Sequence, residues 1–82
     1  MHVTVVSPEQ AVFDGAADAV VAPAYDGQVG ILPRHAPLLT LLGTGVLQVR
    51  QGAAANRFQI AGGFLQVVGD AVRVVADRVE EA

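Results

Sequence analysis

A chain of 82 residues has room for a single hydrophobic core, because at this size only roughly 60% of the surface exposed by the unfolded form is buried. Cysteine is absent, which excludes disulfide staples and thiolate metal sites, and the 52% hydrophobic content is aliphatic, with no tryptophan and only Phe13, Phe58 and Phe64 as phenylalanines. A net charge of −3, with five arginines and no lysine, builds no field that would draw nucleic acid or an anionic membrane surface, and no apolar run approaches the ~20 residues of a bilayer span.

Met1-His2 leads straight into alternating sequence, with no basic segment and apolar signal core, so the chain is expected to be soluble and to work in a bacterial cytoplasm. The alternation predicts a first strand over residues 2–6, stopped by Ser7-Pro8, and a short second over 10–13, turned by Asp14-Gly15. A third covers 17–22 and ends at Pro23. The dipeptide Asp26-Gly27 signals a turn before a fourth over 28–32. In Pro33-Arg34-His35-Ala36-Pro37 two prolines fix φ and remove backbone donors, giving a rigid loop.

Residues 38–42 resume an apolar strand in which Leu38, Leu39, Leu41 and Leu42 occupy both faces. Such a strand is either central in a sandwich or has one face against a partner. After Gly43-Thr44-Gly45, residues 46–51 alternate with Leu47 and Val49 inward and Gln48 and Arg50 outward. Residues 57–61 place Phe58 and Ile60 inside; Gly62-Gly63 predicts a tight bend; residues 64–68 place Leu65 and Val67 inside. Gly69-Asp70 marks a last hairpin before a strand over 72–76, and residues 76–82 read as a polar, strand-poor tail. Eight or nine short strands with tight turns predict one all-β domain over 1–82, an antiparallel β-sandwich.

Catalytic constellations find little support. Ser7, His35 and Asp26 could form a nucleophilic triad on paper, but Ser7 precedes a proline and lacks a Gly-x-Ser-x-Gly elbow. Two distant histidines give no metal-ligand spacing. Gly27-Gln28-Val29-Gly30 and Gly43-Thr44-Gly45 open no helix and precede no lysine, so both are taken as turns that need positive φ rather than phosphate loops. No cofactor, metal or catalytic residue is expected. His35, caged by Pro33 and Pro37, is the exception: it either closes its own turn by bonding a nearby carbonyl or serves as a contact residue on a stiff, projecting loop.

The run Gly27-Gln28-Val29-Gly30-Ile31-Leu32-Pro33-Arg34-His35-Ala36-Pro37-Leu38-Leu39-Thr40, followed by Gly45-Val46-Leu47, resembles the epsilon subunit of rotary F-type ATP synthases. Val5-Val6-Ser7-Pro8-Glu9, Val12-Phe13-Asp14-Gly15, Ala61-Gly62-Gly63-Phe64-Leu65-Gln66-Val67 and Val72-Arg73-Val74-Val75-Ala76-Asp77 extend the resemblance over nearly the whole chain. It implies a β-sandwich of about ten strands in two sheets at the foot of the central stalk, packed against the gamma subunit and resting on polar loops of the c-ring. In that role the domain is not an enzyme; it couples ion-driven ring rotation to gamma and so to ATP synthesis, held peripherally at the cytoplasmic face of the bacterial inner membrane. Carried over by position, Gln28, Arg34 and His35 are the expected c-ring contacts, and Leu38, Leu39 and Leu41 the expected gamma contacts.

Two departures matter. Gln28 stands where many relatives have glutamate, and a neutral amide cannot form an ion pair; Arg34 stands where relatives often have glycine. Most relatives also continue into a C-terminal helical hairpin that can block hydrolysis and in some contributes to ATP binding. The expectation here is a naturally short subunit in preference to a trimmed one, and in either case no helical C-terminal domain, no ATP binding and no inhibition by an extended hairpin. The rival classes are a stand-alone ligand-binding sandwich, such as a carbohydrate module, and a small hydrolase. The first wants exposed aromatics, whereas the phenylalanines are assigned inward here; the second wants the missing constellation.

Overall fold

The computed structural model describes residues 1–81. Eight strands follow one another: β1 (His2–Val6), β2 (Ala11–Ala16), β3 (Ala19–Ala24), β4 (Gly27–Ile31), β5 (Leu38–Leu41), β6 (Thr44–Gln51), β7 (Ala54–Val68) and β8 (Ala71–Glu81). No helix occurs among the described residues. Their hydrogen-bonded order is β2-β1-β8-β7-β6-β3-β4, with β5 added to β7. The all-β expectation holds, with eight strands rather than about ten. One pair, β1 with β8, is parallel, so the sheet is mixed.

The long strands β7 and β8 turn this continuous sheet into two layers. The first half of β7 pairs with β6 from Ala54 to Ala61, and its second half pairs on the same edge with β5 from Phe64 to Val67. Along its other edge β7 pairs with β8 throughout, from Phe58↔Glu81 to Val68↔Ala71. One layer is therefore β2-β1-β8-β7-β5 and the other β8-β7-β6-β3-β4, joined where β7 and β8 bend together, as strands do when they switch sheets.

The bend lies at Gly62-Gly63. The tight hairpin predicted there is instead a kink within one 15-residue strand, with φ of 69° and 105° at the two glycines. A Cβ at Gly63 would run into the Val75 carbonyl oxygen, so only glycine lets the backbones meet there, and at Gly62 the positive φ favours glycine while a Cβ would crowd the Asp77 carboxylate. Core-facing positions change parity across the kink, from Phe58 and Ile60 to Leu65 and Val67. The β5–β6 link is stitched onto it by Leu42 N–H to Gly63 O (2.9 Å) and Gly62 N–H to Gly43 O (3.2 Å).

Between the layers lies an aliphatic core: Val3, Val5, Leu65, Val67, Val72 and Val74 from one side, Val20, Ala22, Ile31, Leu47, Val49 and Ile60 from the other. Phe13 and Phe58 close one flank edge to face, ring centroids 6.4 Å apart. The inward assignments of Leu47, Val49, Phe58, Ile60, Leu65 and Val67 are all observed.

Several boundaries move. The residues 76–82, expected as a strand-poor tail, continue β8 to Glu81, because Arg78 to Glu81 find backbone partners on the first half of β7; Ala82 lies outside the described residues. Asp14-Gly15 is no turn but the paired middle of β2. Pro23 does not end β3. Its carbonyl accepts from Gly43 N–H at 2.8 Å, so its donorless nitrogen faces the same side, where pairing with β6 has already stopped at Val21↔Gln48. Of the glycines taken as positive-φ turns, Gly27 is one (133°), whereas Gly30, Gly43 and Gly45 are not. Gly43 and Gly45 instead permit close approach to the Ala24 carbonyl and the Pro23 ring.

Candidate interaction surfaces

The outer face of the first layer is built by alternation: every side chain inward on β5, β7, β8 or β1 leaves its neighbour outward. Cross-strand register then aligns Leu41, Phe64, Val75 and Val6 in one row across four strands. Leu39, at the next outward position of β5, lies beside it, and Leu39 and Leu41 are 69% and 63% exposed. With Thr40 and Phe64 these leucines line a shallow hollow of about 400 Å³. Phe64, at 36% exposure, is outward, correcting the inward assignment of all three phenylalanines; it alternates with the inward Leu65 on the same strand.

The next row along the strands begins with Leu39 opposite Gln66 and is polar from there on. Gln66, Arg73, Thr4 and Asp14 follow one another by register, and the His2 imidazole Nε2 and the Asp14 carboxylate pair diagonally across β1 and β2. This face thus carries an apolar row that crosses from β5 to β1 beside a row that is polar beyond Leu39. β5 is an edge strand rather than a central one: Leu38 packs against the core, and Leu39 and Leu41 point outward.

A second surface borders the first. Edge strand β4 carries Gln28 opposite Pro23, exposed, and runs into the loop of residues 32–37. That loop opens with a turn closed by His35 N–H to Leu32 O at 3.2 Å. Pro33 supplies the fixed φ of the second position, and Arg34 takes the third with φ of 67°, the position where a type II turn favours glycine. Arg34 is the one non-glycine with positive φ among the described residues. His35 Nδ1 lies 2.7 Å from the Ala36 carbonyl oxygen, which can only accept, so Nδ1 carries the proton and Nε2 is left to meet other groups. Both roles weighed for His35 are therefore compatible, since one ring nitrogen closes the loop while the other stays free for contact.

Gln28 lies at the start of β4 and Arg34 and His35 in the loop beyond its other end, and no hydrogen bond among the described residues joins them. Leu32, 63% exposed, and Tyr25, 69% exposed, flank β4 in sequence. The paper triad is not assembled: the Ser7 hydroxyl bonds Gln10 O and Glu9 Oε2 (both 3.2 Å) within the β1–β2 link, and His35 bonds its own loop. Among the described residues no three His, Asp or Glu side chains converge as metal ligands. The apolar row across four strands was not legible in advance, because it depends on strand order; the alternation of 64–68 and 72–76 was its only sequence trace.

Comparison with known proteins agrees with this architecture. The family model "ATP synthase, Delta/Epsilon chain, beta-sandwich domain" matches residues 1–82. The ATP synthase epsilon chain of Acidithiobacillus ferridurans is 49% identical over 82 residues, covering 100% of this chain and 58% of the relative. That of Desulforamulus reducens is 46% identical over 78 residues, covering 95% of this chain and 59% of the relative. The chain thus spans rather more than half the length of these relatives. Among solved structures, a chain of the Euglena gracilis mitochondrial ATP synthase OSCP/F1/c-ring assembly superposes with a TM-score of 0.89 at 21% identity, covering 96% of this chain and 51% of that one. A chain of the Tetrahymena thermophila mitochondrial ATP synthase central stalk and c-ring superposes with a TM-score of 0.82 at 20% identity, covering 99% and 66%. At such identity the structural likeness speaks to the fold. Whole-length family match and high identity together establish that this chain belongs to the ATP synthase delta/epsilon chain β-sandwich domain family.

Proposed function

We propose that this domain is a non-catalytic rotor part of a rotary F-type ATP synthase, carrying torque from an ion-driven c-ring to the gamma subunit. A torque-bearing part needs a stiff body and two separate contact surfaces. Stiffness is supported by a core without buried polar groups among the described residues and by β7 and β8 bracing both layers. The observation that carries the reading is the outer face: the apolar row Leu41, Phe64, Val75 and Val6, with Leu39 beside it, suits gamma, and the polar residues Gln28, Arg34 and His35 of β4 and its loop suit the loops of the ring. On this reading the chain sits peripherally at the cytoplasmic face of a bacterial inner membrane and binds no ATP.

Reconstitution of the rotor tests it. The chain should co-purify with gamma and the ring. Leu39→Ser with Leu41→Ser, both at exposed positions, should leave the fold intact within about 0.5 kcal/mol yet weaken the gamma complex. Alanine at Gln28, Arg34 and His35 together should spare gamma binding and lower ATP-driven proton pumping relative to ATP turnover. Unchanged assembly and pumping in both variants would reject the assignment of surfaces.

A further inference from the structure

The dipeptide Asp-Gly occurs twice, and the fold holds the two copies in opposite circumstances. Asp14-Gly15 is in the middle of β2, with Asp14 paired to Thr4 and Gly15 to Val3, and the Asp14 carboxylate is engaged by His2. A Cβ on Gly15 would touch Gln51 Nε2 at 3.6 Å and the Phe13 ring at 3.8 Å, so its surroundings are filled. Asp26-Gly27 is at the tip of the β3–β4 hairpin. Both residues are exposed, the Asp26 carboxylate has no hydrogen-bond or ion-pair partner among the described residues, and a Cβ on Gly27 would meet nothing within 4 Å.

We infer that Asp26-Gly27 is a site of spontaneous isoaspartate formation, and that the fold protects Asp14-Gly15 from the same reaction. The main-chain nitrogen of Gly27 attacks Cγ of Asp26. The N–Cγ bond forms, the nitrogen proton and the carboxyl hydroxyl leave as water, and a five-membered succinimide results. Water then opens either carbonyl: cleavage of the new bond restores aspartate, while cleavage of the old peptide bond leaves the chain running through the side-chain carboxyl. No oxidant or cofactor is needed, and the mass is unchanged. A following glycine allows the ring to close because it presents no Cβ, and at Gly27 only the closing pair of an exposed hairpin, Ala24↔Gly27, has to loosen for the two atoms to meet. At Asp14 the ladder to β1 must first open.

The product carries one extra methylene in its backbone between Asp26 and Gly27. The insertion lengthens the two-residue turn that joins Ala24 to Gly27, so the closing pair Ala24↔Gly27 and its neighbour Pro23↔Gln28 are the part of the ladder it strains, and Gln28 is in that part. If Gln28 contacts the ring, a consequence that rests on the proposed function, an aged unassembled chain would seat poorly on its rotor. The chemistry itself does not depend on that reading.

The test is to incubate the 82-residue chain at neutral pH and 37 °C, then digest with the protease Asp-N, which cuts before aspartate but not before isoaspartate. Isoaspartyl methyltransferase with S-adenosylmethionine serves as an independent probe. The expected result is isoaspartate at residue 26 in at least about tenfold excess over residue 14. In urea both dipeptides should react at similar rates, and Asp26→Glu should remove the folded-state signal. Equal accumulation at both sites in the folded chain, or none at residue 26, overturns the inference; co-purification with gamma would be unaffected by either outcome.

Discussion

Arg34 is held in a backbone region that costs an ordinary L-residue about 1–2 kcal/mol, and a glycine there would lose roughly 0.5–1 kcal/mol of that advantage to its freer unfolded chain. Arg34→Gly should therefore stabilise the domain by up to about 1 kcal/mol, seen as a rise of a few degrees in Tm. A stabilised Arg34→Gly variant that also pumps less would assign the guanidinium to contact rather than to the fold. His35 can be divided in the same way. His35→Asn places an amide N–H near the Nδ1 position and should keep the bond to the Ala36 carbonyl, with a Tm close to that of the parent, while removing Nε2. His35→Ala loses both. Reduced pumping in the asparagine variant with unchanged Tm would assign the function to Nε2. Proline spacing made this loop legible in the sequence; the left-handed Arg34 was not, because arginine in a glycine position shows only once the turn type is known.

The β7–β8 ribbon decides how the molecule becomes two-layered. Gly63→Ala forces a Cβ onto the Val75 carbonyl and should cost on the order of 3–5 kcal/mol, read as a large drop in the urea midpoint or failure to fold. Gly52→Ala, at a positive-φ tip with open space, should cost far less and serves as the control. Glycine pairs signal hairpins when read along one chain, and Gly62-Gly63 reads as one. It is a kink because β8 accompanies β7 through it in unbroken register, an arrangement set by residues more than ten positions away. The same cause turned residues 77–81 into strand. Their polarity suits a solvent-facing surface, but their backbone groups are satisfied by β7, and hydrogen bonding overrode composition.

At the scale of the whole molecule, the five arginines are dispersed over separate surfaces. Arg50, Arg57 and Arg78 occupy the outer face of the second layer, Arg73 that of the first and Arg34 a loop, and no helix among the described residues offers an N-terminus to phosphate. Titration calorimetry with ATP should show no tight site on this chain, and a stoichiometric exotherm would contradict that expectation.

Period-two alternation, valine-rich strands and closely spaced turn residues determined by themselves that the chain is all-β, and which aliphatic side chains form its core, since inward and outward positions are a local property of an extended backbone. The quoted motifs determined its family in the same direct way. Only the tertiary structure decided that β5 is an edge, that β1 joins β8 in parallel, and that Leu41, Phe64, Val75 and Val6 form one apolar row, for strand order and register arise from backbone pairing between distant segments, and a single strand's pattern does not name its neighbour.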